Sequence, residues 1–292
     1  MKNLLSVEHI TRYQYDEQVE MANHLAFMSP RTQDGQCVES LEWQISPQPD
    51  YLSHSTDTFG NIRSNFALSK THNELTICVK SQVRVEPMPW DTNTIAARSW
   101  ESVRDQLRQQ GEHDFLDARE FVYDSPLACK LEPFYQYALT SFTPDRNIQT
   151  AAMDLMQRIF QDFSFSASAT EVDTPALQSF ERRAGVCQDF SHIMISCFRS
   201  LGLAARYVSG YLLTNPAPGM TRLRGADVSH AWLSVWTGER WLDLDPTNNQ
   251  IPDQNYVRVA CGRDYGDIAP LKGVIRGGEN HTLTVSVTVE PL

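Results

Sequence analysis

The chain has 292 residues, of which 41% are hydrophobic and 21% are charged, enough to bury the core of one large domain or two ordinary ones. Its 25 Lys and Arg side chains against 36 Asp and Glu give a formal net charge of −11. The sequence also lacks the clustered Lys and Arg residues that phosphate contacts require, which argues against a nucleic-acid partner. The sequence contains neither the apolar core of a signal peptide nor the roughly 18 apolar residues of a membrane span, so we expect a cytoplasmic protein with no membrane partner.

The first part of the chain is predicted to be β-rich. Apolar residues alternate with polar ones, most clearly between Leu75 and Val85. Turn signals at "SPQPD" (46–50), "DTFGN" (57–61) and "SKTHNE" (69–74) separate the alternating runs, which favours an antiparallel sandwich or meander. The segment "EPMPWDTNT" (86–94) is typical of a linker, because its prolines and polar residues suit neither helix nor strand.

Helical spacing follows the linker. Thr143 and Pro144 are predicted to be the N-cap and first residue of a helix that continues to Phe160. The pair Thr174 and Pro175 similarly predicts a short helix that ends near Gly185. A third helix is predicted from Cys187 to Gly202, with apolar residues recurring at intervals of three and four.

The six cysteines, Cys37, Cys78, Cys129, Cys187, Cys197 and Cys261, show neither a C-x-x-C pair nor zinc-site spacing. We therefore expect reduced thiols, no metal and no cofactor. Cys187 is the exception to a purely structural role, because the start of a helix offers unpaired N–H groups and a positive dipole end that stabilise a thiolate. Cys197 lies on the apolar stripe of the same helix and is predicted to be a core thiol.

A thiolate nucleophile needs a base and a group that orients the base. His192 lies about 140° around the helix from Cys187 and is predicted to be a capped or surface histidine. His230 is the better candidate. It opens one of two alternating runs that flank Gly238-Glu239, the signal of a type II′ hairpin.

The hairpin register predicts which acid accompanies this histidine. Counting outward from the turn pairs Ser234 with Asp243 and Trp232 with Asp245, so His230 shares a face with both acids and is diagonal to Asp245. Both residues could instead be polar groups on a solvated hairpin face. We favour function, because the same face carries Trp232 and two further tryptophans, which suits a cleft better than an open surface.

Four segments resemble the core of the transglutaminase-like superfamily, in particular its bacterial branch of cysteine proteases: "GVCQDFSH" (185–192), "GLAARYVSGYL" (202–212), "SHAWLSVW" (229–236) and "WLDLDPTN" (241–248). The β-rich first part, with "DTFGN", resembles the N-terminal β domain of that branch. The segment "CGRDYGDIAPLKGVIRGG" (261–278) resembles its C-terminal part.

The resemblance implies an α+β fold, with an N-terminal antiparallel β domain followed by a papain-like core of helices packed on an antiparallel sheet or barrel. It places the β domain at 1–88, a linker and helical connection at 89–140, the catalytic core at 141–262 and a C-terminal segment ending in a strand at 263–292. It implies that Cys187 is the nucleophile, His230 the base and later the acid, and Asp245 the partner that orients the imidazole.

The predicted reaction is acyl transfer from an amide through a thioester, on a protein or peptide substrate or another small amide. The resemblance favours hydrolysis by a peptidase or amidase. The alternatives are protein crosslinking by glutamine transamidation, or a non-catalytic module whose β domain binds a partner protein. A metal-dependent enzyme is disfavoured, since no clustered ligand motif is present. The loop 214–229, rich in proline and glycine, is predicted to wall the acyl-binding cleft.

Overall fold

A computed structural model describes residues 3–86, 98–109, 116–214 and 229–292. The fold is α+β, as predicted. The strands are β1 (Asn3–Ser29), β2 (Gln36–Ser46), β3 (Tyr51–Thr56), β4 (Ile62–Leu68), β5 (His72–Val85), β6 (Ser164–Phe165), β7 (Ala184–Gly185), β8 (Ala205–Leu212), β9 (Ser229–Trp236), β10 (Trp241–Leu244), β11 (Tyr256–Gly262), β12 (Leu271–Gly277) and β13 (His281–Pro291). The helices are α1 (Trp100–Arg108), α2 (Leu116–Arg119), α3 (Glu132–Leu139), α4 (Ile148–Asp162), α5 (Ala176–Arg182), α6 (Cys187–Ser200) and α7 (Tyr265–Ile268), and a 3-10 turn spans Glu120–Val122.

A seven-stranded antiparallel sheet is built around the long strand β1. The first half of β1 pairs with β5 and with β13, and the second half pairs with β4 and β12. The alternation predicted between Leu75 and Val85 is present, with Leu75, Ile77, Val83 and Val85 buried on one face of β5. The two C-terminal strands therefore belong to the same sheet as the N-terminal ones.

A second, four-stranded antiparallel sheet has the order β10-β9-β8-β11. Helix α6 packs against β9 and β8, and its apolar stripe, including Ile193, Met194 and Phe198, is fully buried. Gly202 ends this helix with a φ of +82°, a conformation that glycine adopts at little cost. The burial of this stripe anchors the helix, and so fixes where its first residue, Cys187, lies relative to the sheet.

Two buried amide side chains, one in β2 and one in the turn just before β4, bind the edge strand of the second sheet. Gln36 accepts a hydrogen bond from Arg258 N at 2.8 Å and donates to Arg258 O at 2.9 Å. Asn61 accepts from Cys261 N at 2.8 Å and donates to Cys261 O at 2.7 Å. Each amide thus replaces the backbone partner that an edge strand lacks, and the two sheets are joined along β11.

The starts of two helices differ from the prediction. Helix α4 begins at Ile148 rather than at Pro144, because the side chain of Asn147 accepts hydrogen bonds from the N–H groups of residues 149 and 150 and caps the helix there. Helix α5 begins one residue late, at Ala176, since Thr174 Oγ1 accepts from Glu171 N and closes a turn instead of capping the helix.

Most of the predicted linker 86–94 and of the predicted cleft loop 214–229 lies outside the described residues. Within the described ranges, no helix combines the length and the apolarity needed to cross a membrane.

Candidate active site

Cys187 is the first residue of α6, and its side chain is partly buried. The turn before it is held by the buried carboxylate of Asp189, which accepts a hydrogen bond from Val186 N at 2.8 Å. The hydroxyls of Thr170 and Ser179 donate to the same carboxylate at 2.6 and 2.8 Å. Because this cap fixes the helix start, Cys187 lies where unpaired N–H groups and the helix dipole favour an anion.

The predicted hairpin register is confirmed. Thr237 N donates to Arg240 O at 3.0 Å, and Gly238 has a φ of +95°, as a type II′ turn requires. Strands β9 and β10 pair as expected: Trp236 with Trp241 and Ser234 with Asp243.

The predicted pair of Trp232 with Asp245 is wrong, because β10 ends at Leu244. The backbone of Asp245 instead exchanges two hydrogen bonds with Gln250 and closes a tight turn. Pro246 has no N–H to continue the strand, which explains why the ladder stops here. The turn still directs the Asp245 side chain toward β9.

Asp245 is fully buried and accepts five hydrogen bonds. Its Oδ2 accepts from His230 Nε2, Asn248 Nδ2 and the Tyr256 hydroxyl, each at 2.7 Å. Its Oδ1 accepts from the backbone N–H groups of Thr247 and Asn248, at 2.9 and 3.2 Å. Burial alone would raise the pKa of Asp245, but these hydrogen bonds and the charge of His230 hold it below its ordinary value. Asp245 is therefore a fixed carboxylate.

His230 pairs with Asp245, and 11% of its side chain is exposed. Its Nε2 is engaged by Asp245, so Nδ1 is the nitrogen left for the sulfur of Cys187. Burial alone would lower the pKa of His230, but hydrogen bonds to Asp245 and Cys187, with the negative charges of both, raise it to about 10. The geometry thus favours an imidazolium at neutral pH.

An aromatic wall supports the imidazole. The rings of Trp232 and Tyr256 lie 6.1 and 6.0 Å from that of His230, and the two are packed edge to face against each other at 5.3 Å. Gly210, which pairs with His230 across β8 and β9, is required here, because an added Cβ would lie 2.5 Å from the Trp232 indole. The wall excludes water from one side of the His230 ring.

Asp243 also lies on the His230 face but has other partners. It accepts hydrogen bonds from Trp232 Nε1 at 3.0 Å, from Ser234 Oγ at 2.7 Å and from Arg258 Nε at 2.7 Å. These contacts hold the Trp232 indole in place. Of the two acids, it is Asp245 and not Asp243 that hydrogen-bonds His230.

Comparison with known proteins places the chain in a family. The model of the bacterial transglutaminase-like N-terminal region matches residues 5–84, and that of the transglutaminase-like superfamily matches residues 136–246. Uncharacterized proteins of Mycobacterium tuberculosis and Mycobacterium bovis are 40% identical over 98% of this chain and 92% of their own length. This chain belongs to the transglutaminase-like superfamily. A further uncharacterized member, from Mycobacterium leprae, is 28% identical over 99% of both chains.

A solved structure supports the fold of this transglutaminase-like chain along its whole length. A candidate cysteine protease from Cytophaga hutchinsonii superposes with a TM-score of 0.79, covering 100% of this chain and 91% of its own, at 18% sequence identity. The likeness extends to both sheets, so the β domain and the core occur together in that structure as they do here.

Two other residues singled out by sequence, His192 and Cys197, are buried in this transglutaminase-like fold. His192 is 1% exposed, so the predicted surface position is wrong; its Nε2 accepts a hydrogen bond from Tyr265 N, and burial lowers its pKa to about 4. Cys197 is fully buried in the core, and burial raises the pKa of its thiol. Sequence reasoning missed Tyr256 and Asn248, although the run "DPTNN" after Asp245 is a local signal for the Asn248 contact.

Proposed function

We propose that this chain is a cysteine-dependent acyl-transfer enzyme that cleaves amide bonds through a thioester on Cys187. The observation that carries the proposal is the position of His230, which hydrogen-bonds the buried carboxylate of Asp245 at 2.7 Å and whose pKa is raised by Asp245 and by Cys187. A base oriented by an acid and in contact with a helix-opening thiol is the arrangement that activates a cysteine nucleophile.

In the proposed mechanism, the Cys187 thiolate attacks the carbonyl carbon of an amide and forms a C–S bond. The developing oxyanion accepts a hydrogen bond from the backbone N–H of Cys187. As the tetrahedral intermediate collapses, His230 gives its proton to the leaving amine and the C–N bond breaks. His230, now neutral, takes a proton from the acceptor, which attacks the thioester and releases the thiolate.

We propose water as the acceptor, and hence a peptidase or amidase acting on a protein, a peptide or a smaller amide. The whole-chain fold similarity to a candidate cysteine protease supports hydrolysis. A primary amine as acceptor would instead give transamidation, since the same thioester serves both reactions.

Trapping of the acyl group tests this proposal. The full chain is incubated with a panel of peptide and glutamine-type amides, with water and a primary amine as competing acceptors, and the intact protein is measured by mass spectrometry. We expect a substrate-derived mass on the wild type and on Cys37→Ala, and none on Cys187→Ala. Acylation that persists in Cys187→Ala would overturn the assignment, and a product carrying the amine would identify a transferase.

We also propose that the protein works in the cytoplasm. All six cysteines are free thiols, one of them exposed and others within the core, as a reducing compartment allows.

A further inference from the structure

A cavity of about 450 Å³ lies beside the four-stranded sheet, where the loop after β1 approaches β8, β10 and β11. Arg31, Arg206 and Arg258 line it from three different elements, and the indoles of Trp236 and Trp241 form part of its wall. The cavity is separate from the candidate active site, because none of Cys187, His230 and Asp245 lines it. A cavity of this size suits a small molecule.

The three guanidinium groups are held in place by other protein groups. Arg31 Nη1 donates to Phe59 O at 2.8 Å, and Arg258 Nε donates to Asp243 at 2.7 Å. The guanidinium of Arg206 lies 4.2 Å from the ring centroid of Trp241. These arginines are partly buried, so their positions are set by the fold rather than by solvent.

Gln36 fixes two of the three arginines relative to each other. Its buried Nε2 donates to Arg31 O at 2.8 Å and to Arg258 O at 2.9 Å, and its Oε1 accepts from Arg258 N. A single amide thus joins the backbone of the loop after β1 to the edge strand β11, beside the cavity that Arg31 and Arg258 both line. The cluster is pre-organised before any ligand arrives.

Positive charge exceeds negative charge at this cluster. In the described part of the chain, the contacts of Arg31, Arg206 and Arg258 include one carboxylate, Asp243, which is shared with Ser234 and Trp232. Of the other two acids at the cavity, Glu239 is paired with Arg98 at 2.9 Å, and Asp34 is exposed to solvent. Burial lowers the pKa of Arg206, and the charges of Arg258 and Arg31 lower it further, against the opposing charge of Asp243.

We propose that this cavity binds a small organic phosphate, with the phosphoryl group on Arg31, Arg206 and Arg258 and an aromatic or apolar part against Trp236 and Trp241. The terminal nitrogens of three guanidinium groups offer more donors than one carboxylate can accept, whereas a phosphate dianion has three acceptor oxygens. Indole rings provide the apolar contact that an inorganic ion would not use. The site is independent of the proposed amide cleavage.

Calorimetric titration of the full chain with phenyl phosphate, inorganic phosphate and benzoate tests the site. We expect phenyl phosphate to bind more tightly than the other two, and its Kd to rise about tenfold or more in Arg206→Gln, as loss of a charge-assisted contact implies. The matched control is Arg276→Gln, which removes a charge from an exposed ion pair with Glu20 outside the cavity. That variant is expected to keep the wild-type Kd.

A second measurement does not depend on the folding of a variant. In the wild-type protein, phenyl phosphate is expected to protect Arg206 and Arg258 from phenylglyoxal, as read by peptide mass spectrometry, while Arg276 continues to react. Equal Kd values in Arg206→Gln and Arg276→Gln, or no protection at saturating phenyl phosphate, would overturn the site. Tighter binding of benzoate than of phenyl phosphate would overturn the phosphate class, and inorganic phosphate binding as tightly as phenyl phosphate would overturn the role of the indoles.

Discussion

At the residue scale, the protonation of His230 is the property on which the proposed chemistry depends. Its raised pKa has two sources, Asp245 and Cys187. The contribution of Cys187 can be removed without disturbing the contact to Asp245. The two sources are therefore separable by substitution.

We expect Cys187→Ala to lower the pKa of His230, because the variant loses the hydrogen bond and the negative charge that favour the imidazolium. The measurement is an NMR titration of the imidazole resonances. Cys37→Ala, which removes an exposed thiol elsewhere, serves as the control and should leave the titration unchanged. An unaltered His230 titration in Cys187→Ala would show that the two side chains do not interact.

The same group makes stability depend on pH. The pKa of His230 is raised from 6.5 to about 10, so its contribution is complete below pH 6.5 and is lost as the pH rises through about 10. We expect the urea midpoint to fall more across this range in the wild type than in His230→Gln. Parallel curves for the two proteins would argue against the raised value.

Tyr256 is a positioning residue for this site, since it touches Asp245 and not the reacting atoms. A hydrogen bond to a charged group contributes about 1.5–3 kcal/mol, so Tyr256→Phe is expected to lower kcat roughly tenfold or more with little change in KM. The control, Tyr211→Phe, removes another buried hydroxyl, which bonds His9 at 2.8 Å. A changed KM with unchanged kcat, or an equal loss in both variants, would contradict the positioning role.

At the element scale, the start of α6 depends on Asp189, which ties together the cap, α5 and the preceding loop. The buried Asp189 carboxylate accepts three hydrogen bonds. In Asp189→Asn the amide NH2 would face one or more of these N–H and O–H donors, so the variant should destabilise the protein by about 1–3 kcal/mol. Chemical denaturation measures this loss. Glu181→Gln makes the same charge change at an exposed position of α5 and should have almost no effect.

The elements also show what sequence can and cannot predict. The Gly238-Glu239 turn predicts the register of β9 and β10, because local turn geometry and side-chain alternation determine it. The helix starts were predicted less well, since Asn147 is the N-cap of α4, whereas the proline pattern predicted Thr143 for that role. Tyr256 could not be predicted as a partner of Asp245, because its position depends on β11 pairing with β8 and no local pattern records that pairing.

At the scale of the whole molecule, the two sheets are joined by side-chain amides that pair with the edge strand β11. Asn61 is fully buried, and its removal would leave the N–H and carbonyl of Cys261 without partners. We expect Asn61→Ala to lower the free energy of unfolding by about 1–3 kcal/mol and to speed hydrogen exchange at Cys261. Asn73→Ala, at an exposed position near the start of β5, is the control. Unchanged exchange at Cys261 would show that this amide does not hold the strand.

Strand β1 has a consequence for how the chain folds. Its first half pairs with β5, which comes after three intervening strands in the chain, and with β13, where Leu5 faces Pro291. A ribosome releases β1 long before β12 and β13, so the early strand keeps one side unpaired until those two strands have been synthesised. Contacts between residues so distant in sequence slow the final folding step, because the entropy of closing a long loop is lost before the contacts contribute any favourable free energy. Completion of the N-terminal sheet is therefore a late event in biogenesis, and nascent chains stalled before β12 should be the species most prone to aggregate.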